Sequence, residues 1–287
     1  MAIVGAATKR APPSAAETGV CRRVVSLAPS ITEMLFALGL GDRVVGTTRY
    51  CNYPAEARNK ARIGGYVDPS YELIVELRPD LVLALGVHEA AIEVLGKVGI
   101  RTLTLDLGSV RDILRSIRTV GLACGVGPRA ETLVASIEER LSRVRSKTAR
   151  LERPRVLVSV GRDEEAGYLK DVYAAGQRSY LDEVIELAGG ENAVGETVTA
   201  FPGLSAEGII TINPEVIIDI LAHGDGKKTT NVETLGQWAA AGRTQAVRNG
   251  RVHVFEEDYA TIPGPRVALL VEQFARLIHP EIDWSPK

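Results

Sequence analysis

Two stretches of this chain, GGYVDPSYELIVELRPDLVLAL at residues 64–85 and FPGLSAEGIITINPEVIIDIL at residues 201–221, follow one frame, E-x-I-x-x-x-x-P-[DE]-[LV]-[VI]. Glu207 lies 135 residues after Glu72, and at that offset Ile74 meets Ile209, Pro79 meets Pro214 and Asp80 meets Glu215. Earlier in each copy the offset is 149, pairing Leu35 with Val184, Leu38 with Leu187, Gly41 with Gly190, Val45 with Val194 and Gly46 with Gly195. The difference between the offsets is a longer loop in the first copy. A chain that repeats itself over so much of its length folds into two like-built lobes, and 287 residues let each lobe bury its own core.

The elements of a lobe can be read in order. RVVSLAPSITEMLFALGLGDRVVG, from Arg23, is a short β-branched run, a Pro turn, apolar residues at helical spacing and a second strand. Ser30 and Glu33 match a capping box, S-x-x-E, as do Ser179 and Asp182 in the second copy. Asp68 and Pro69 are expected to open the helix that carries Glu72, as cap and first residue. DLVLAL then reads as a buried strand, HEAAIEVLGKVG as a helix and IRTLTLD as a strand. Strands alternating with helices imply an α/β fold with parallel sheets. Between the copies, SVRDILRSIRTVGLACG and PRAETLVASIEERLSRVRSKTAR keep a helical period, broken at Gly125 to Pro128. The second is a helix of some 20 residues, about 30 Å at 1.5 Å per residue, long enough to join the lobes as a strut. The expected division is an N-terminal α/β lobe at 22–108, a helical connection at 109–150 and a C-terminal α/β lobe at 151–287. Ligand pockets favour domain interfaces and the carboxyl ends of parallel strands, which places the expected site in the cleft between the lobes.

Composition narrows the function. Thirty-four basic residues against 36 acidic ones lack the excess that nucleic acid binding requires. The longest apolar runs, such as Leu81 to Leu85, fall far short of the roughly 18 residues needed to span a bilayer. Cys21, Cys51 and Cys124 form no C-x-x-C spacing and leave an odd thiol, so they read as ordinary thiols, with neither a zinc site nor a disulfide framework indicated. At the N-terminus the apolar stretch precedes the basic pair, the reverse of a secretory signal, and Val20 before Cys21 departs from a lipoprotein cleavage site. A cytoplasmic protein, a chain whose signal has been removed and a different start all remain open.

Tyr50, Tyr53, Tyr66, Tyr173 and Phe201 fall in predicted loops and read as pocket walls, since flat aromatic faces bury apolar area at little rotamer cost. Arg49, Arg178 and Arg266 could meet anionic groups through the planar guanidinium fork, although a solvated surface arginine is the blander reading. His88 and His223 occupy similar places in the two lobes and could converge on a ligand, whereas His253 and His279 carry no signal. No G-x-S-x-G, Walker loop or H-E-x-x-H is present, and GLGLGD lacks the third glycine of a dinucleotide fingerprint. A tetrapyrrole metal chelatase, which would need a cleft histidine with a carboxylate, is the competing enzyme class. Its only adjacent pair would be His88 and Glu89, which point different ways on a helix. A cytoplasmic corrinoid carrier or sensor is a third reading.

Together, RVVSLAPSITEMLFALGLGDRVVG, NYP, GGYVDPSYELIVELRPDLVLAL, AGQRSYLDEVIELAGGENAVG and FPGLSAEGIITINPEVII resemble the helical-backbone substrate-binding proteins of ABC importers. The likeness runs over residues 22 to 280 and is greatest to the cobalamin-binding branch, whose relatives carry haem or ferric siderophores. It implies two Rossmann-like lobes joined by one long helix, and a metal chelate held in the cleft with limited closure. It further implies an extracytoplasmic receptor that acts as a monomer, has no catalytic residues, resident metal or cofactor of its own, and delivers its ligand to a membrane permease with its ATPase. By resemblance Tyr50, Tyr66, Tyr173 and Phe201 would bind ligand, and Glu72 and Glu207 would dock the permease; Arg178 and Arg266, in predicted loops near the cleft, join the expected ligand-binding set on their position. A tyrosine at position 66 also resembles the iron-ligating position of haem receptors, which leaves haem as an alternative cargo.

Overall fold

The structure is a computed structural model that describes residues 21–165, 168–221 and 231–285. Its first sheet comes from β1 (Val24–Ser26), β2 (Val44–Thr47), β3 (Ala61–Arg62), β4 (Leu81–Leu85) and β5 (Thr102–Leu105), in the order β3-β2-β1-β4-β5. Every pairing in it is parallel. The helices α1 (Pro29–Ala37), α2 (Tyr71–Glu76) and α3 (Glu89–Lys97) make the crossovers that parallel strands require. Two longer helices follow, α4 (Val110–Ala123) and α5 (Gly127–Thr148).

The second sheet contains β6 (Arg155–Glu165), β7 (Tyr168–Ala174), β8 (Glu191–Asn192), β9 (Gly203–Ser205), β10 (Val216–Ile220) and β11 (Val252–Phe255), interspersed with α6 (Tyr180–Leu187), α7 (Ala206–Ile212), α8 (Asn231–Ala241), α9 (Gln245–Arg248) and α10 (Val267–Ile278). Its order is β11-β10-β6-β7-β9, with β8 also on β6. The strands β6, β8, β10 and β11 pair in parallel, as the repeat implies. On the other side, β6–β7 and β7–β9 are antiparallel, a ribbon that the alternation of strands and helices does not reveal. The fold accounts for the repeat: α2 with β4, and α7 with β10, are the same helix and central strand in each lobe.

Local capping differs from the sequence reading at three places. Ser30 lies inside α1, whose N-cap is Ala28, and Glu33 makes no capping contact because it is drawn to the other lobe. Ser179 is the N-cap of α6, but its hydroxyl donates to the Gly176 carbonyl, and Asp182 accepts from Asn192. Asp68 does not cap α2, since its carboxylate takes Arg49 at 2.9 Å, and the cap is Ser70, whose Oγ accepts from the Leu73 N–H. Ser205 does the same for Gly208 at the head of α7, so the paired helices share a serine cap.

The lobes do not close over two separate cores. One buried cluster runs from Val24 and Leu81 in the first sheet, through α4, α5 and α10, to Val156 and Val216 in the second. Smaller clusters line the outer faces, around Ile63 and Ile74 in one lobe and Leu157 and Trp238 in the other. Along α5 the buried positions Ala130, Val134, Ile137, Leu141, Val144 and Thr148 alternate at spacings of four and three, one continuous stripe along the helix. Arg140 on α5 grips Glu272 on α10 through two bonds of 2.8 and 2.7 Å. A disulfide joins Cys21, just before β1, to Cys124, at the end of α4, which corrects the reading of both as ordinary thiols. Spacing arithmetic detects local motifs, whereas these two meet only through the fold. Cys51 is the buried free thiol.

Candidate functional site

A cavity of about 550 Å³ opens between the lobes. Its walls come from the carboxyl ends of parallel strands, where side chains at strand exits converge. On the first lobe these are Pro29 and Ser30 after β1, Tyr50 and Asn52 after β2, Tyr66, Val67 and Asp68 ahead of α2, and Leu85 ending β4. Ile220 and Leu221 at the end of β10 face them, with Glu257, Asp258, Thr261, Ile262 and Pro263 between β11 and α10.

Tyr66 is held from behind by His88. The two rings meet edge to face with centroids 5.1 Å apart. The His88 Nδ1 accepts from the Leu85 N–H at 3.0 Å, and Nε2 meets the Tyr66 carbonyl at 2.8 Å. Those partners demand a neutral ring protonated at Nε2, and burial pushes its pKa down in agreement. His88 is therefore a staple between two loops of the rim, with both nitrogens engaged within the protein. The position of His223 lies outside the described residues. Burial raises the pKa of the Tyr66 phenol.

Arg266 sits at the N-cap of α10 and turns away from the cavity into a latch between the lobes. Its Nε and Nη2 donate to both oxygens of Glu33 on α1 at 2.9 and 2.5 Å, and Nη1 donates to Asp258 at 2.9 Å. The guanidinium lies 4.1 Å from the Tyr53 ring centroid on one lobe and 5.0 Å from Tyr259 on the other. Glu33 is almost wholly buried and burial pushes its pKa up, an effect that Arg266 only partly offsets. This pair is the feature that sequence reasoning missed. Its trace was a carboxylate within the apolar run around Ile31, Met34 and Leu35.

Of the residues singled out from sequence, the cavity brings Tyr50 and Tyr66 together. The described lining does not include Tyr173, Arg178 or Phe201. Tyr173 stands on β7 rather than in a loop, its hydroxyl donating to Asp163 at 3.1 Å. Phe201 is exposed just before β9, and Arg178 donates to the Val198 carbonyl. Arg49 pairs with Asp68 beside the Tyr50 ring. His253 lies on β11, and His279 is buried against the Gly189 carbonyl and Glu281. Among the described residues no group of three or more His, Cys, Asp or Glu could hold a metal ion, and no helix is long and apolar enough to cross a membrane.

The cleft is formed by strand exits of two lobes on a common helical core. The family model for periplasmic binding proteins matches residues 24–259. The chain belongs to that family. Across 91% of this chain and 81% of the relative, it is 32% identical to YvrC, an ABC transporter substrate-binding lipoprotein of Bacillus subtilis. A vitamin B12-binding protein of Vibrio parahaemolyticus is 27% identical over 85% of this chain and 84% of its own length. Among solved structures, the apo form of the periplasmic heme-binding protein RhuT from Roseiflexus sp. RS-1 superposes with a TM-score of 0.75 at 26% identity, covering 90% of this chain and 98% of that one. As a periplasmic binding protein of ABC import systems, the chain is a binding protein and not an enzyme, which removes the chelatase reading.

Proposed function

We propose that this receptor binds cobalamin or a related corrinoid in the inter-lobe cleft and delivers it to an ABC permease and its ATPase outside the cytoplasm. The observation that carries the choice is the charge of the wall. Among the described residues lining the cavity there are three carboxylates, Asp68, Glu257 and Asp258, and no lysine, arginine or histidine. The arginines nearby, Arg49 and Arg266, are each bound to one of those carboxylates. Haem carries two propionates, and ferric catecholate complexes are strongly anionic, so neither finds a counter-charge among the described lining residues. A corrinoid periphery is instead rich in carboxamides, whose N–H groups suit carboxylate and tyrosine oxygens, while its flat ring suits Tyr50 and Tyr66.

The disulfide supports a location in an oxidising compartment. Glu72 and Glu207 are proposed to dock the permease, one on each lobe, fixing orientation and speeding encounter. Tyr173, Arg178 and Phe201 are proposed to meet only the parts of a large ligand that project beyond the cavity.

Replacing Tyr66 or Tyr50 with alanine is expected to weaken cobalamin binding about tenfold or more in calorimetry, with little change in Tm. Tyr173→Ala should cost less. Unchanged affinity in both cleft variants, or a loss of stability without a loss of affinity, would mean that the rings serve the fold rather than the ligand.

A further inference from the structure

Tyr66 reaches the cleft at the tip of a short loop whose base is tied down within the loop itself. Gly64 and Pro69 form a β-bridge, the Gly65 N–H donates to the Asp68 carbonyl at 3.2 Å, and the Ser70 N–H donates to the Ile63 carbonyl at 2.7 Å. The tip has a different anchor. Among the described residues, the one hydrogen bond that reaches Tyr66 or Val67 comes from His88, whose Nε2 donates to the Tyr66 carbonyl at 2.8 Å. The other ring nitrogen accepts from the Leu85 N–H at the end of β4, so a buried imidazole ties the tip to the first sheet. That tie exists in one protonation state. A second proton, on Nδ1, would set N–H against the Leu85 N–H where water cannot replace the lost bond. The charged groups on the surrounding elements are directed elsewhere: Arg49 and Asp68 pair with each other, Glu72 on α2 accepts from the Ser70 hydroxyl, Glu89 on α3 is exposed, and Asp106 after β5 accepts from the Gly108 N–H. Glu257 and Asp258 stand on the opposite wall of the cleft.

We propose that His88 is a positioning residue for the ligand, holding the Tyr66 ring at the cleft while the imidazole is neutral and releasing it when the imidazole takes a proton. The inference rests on the reading of Tyr66 as a wall of the ligand site, and it makes the receptor's grip weaken in acid. With the tip released, His88 titrates near its ordinary value of about 6.5. With the tip held, burial lowers that value, and the Tyr66 carbonyl offsets only part of the shift. Affinity is therefore full above about pH 7, falls as the pH drops below about 6.5 by at most about tenfold per unit, and levels off once the lower value is passed.

Calorimetric titration with cyanocobalamin, which takes up no proton in this range, compares the parent protein with His88→Gln at about pH 7.5 and about pH 5. The glutamine amide still has a donor for the Tyr66 carbonyl and gains no proton. The parent should bind about three- to tenfold more weakly in acid. The variant should lose that difference, and because the carboxylates of the cleft and the latch are common to both proteins, the comparison isolates His88. Imidazole NMR of the parent adds two readouts. Linkage requires cyanocobalamin to lower the His88 pKa further, and in the free protein the amide signals of residues 65–67 should follow the His88 titration. No weakening of the parent in acid, equal weakening in the variant, or a His88 pKa that the ligand leaves unmoved would overturn the inference. If cyanocobalamin does not bind at neutral pH, the corrinoid reading falls and the free protein decides: amide signals that follow His88 uphold its control of Tyr66, and signals that ignore it reject that control. Should His88→Gln fail to fold, the NMR titrations of the parent decide in the same way.

Discussion

Arg266→Ala should lower the stability of this protein by about 3–5 kcal/mol, the range for removing one partner of a buried ion pair. The loss follows from what remains behind. Glu33 is almost wholly buried, and without the guanidinium its carboxylate keeps the desolvation cost with no bidentate partner. Asp258 also loses its contact, and Tyr53 and Tyr259 lose the cation between them. The fall in Tm should be roughly 5–8 °C for a chain of this size. Replacing both Glu33 and Arg266 with leucine removes the two desolvation costs together, and most of the stability should return. Thermal denaturation of the single and double variants, with the exposed Arg178→Ala as control, provides the measurement. If Arg266→Ala behaves like Arg178→Ala, the latch is not a stabilising contact.

Cys124→Ser carries the second large effect. The bond to Cys21 closes a loop with a sequence separation of 103 residues, and on the chain-entropy model a crosslink of that span contributes about 4–5 kcal/mol by restricting the unfolded chain. Both cysteines are buried, so the serine hydroxyl would also need a partner where the sulfur had none to satisfy. Denaturant unfolding should show the variant less stable by about 2–5 kcal/mol and insensitive to reductant, while reduction brings the parent protein down to a similar level. Alkylation of the unreduced, unfolded parent should label Cys51 alone. Labelling of all three cysteines would contradict the disulfide.

Much of this fold could be read before any coordinates. The apolar runs VVS and LVLAL, the helical period of residues 110–148 and the two offsets between the copies specify lobes, sheets and backbone helix, because each signal is local or repeats. Caps were harder. Asp68–Pro69 is the stronger local signature, yet Arg49 captures Asp68, and Ser70 caps the helix two residues on. The antiparallel pairing of β6 with β7 hides in a polar stretch, RDEEAGYLKDVY, with little alternation. Least legible were contacts made only by topology: Glu33 with Arg266 across the lobes, Cys21 with Cys124, and the use of both nitrogens of His88 inside one rim. The same limit applied to the site. Tyr50 and Tyr66 were visible as aromatics after strands and line the cavity, while the acidic character of its wall depends on Glu257 and Asp258, which nothing in the sequence pattern distinguishes.

Calorimetric titration with cobalamin, cobinamide, haem and a ferric catecholate siderophore, each at low and moderate salt, tests the corrinoid assignment most directly. The two corrinoids are expected to bind with one-to-one stoichiometry at micromolar affinity or tighter, about −8 kcal/mol, and the anionic chelates far more weakly at either salt concentration, because the described lining offers them no counter-charge. Tight binding of haem or the ferric siderophore with no binding of either corrinoid would contradict it.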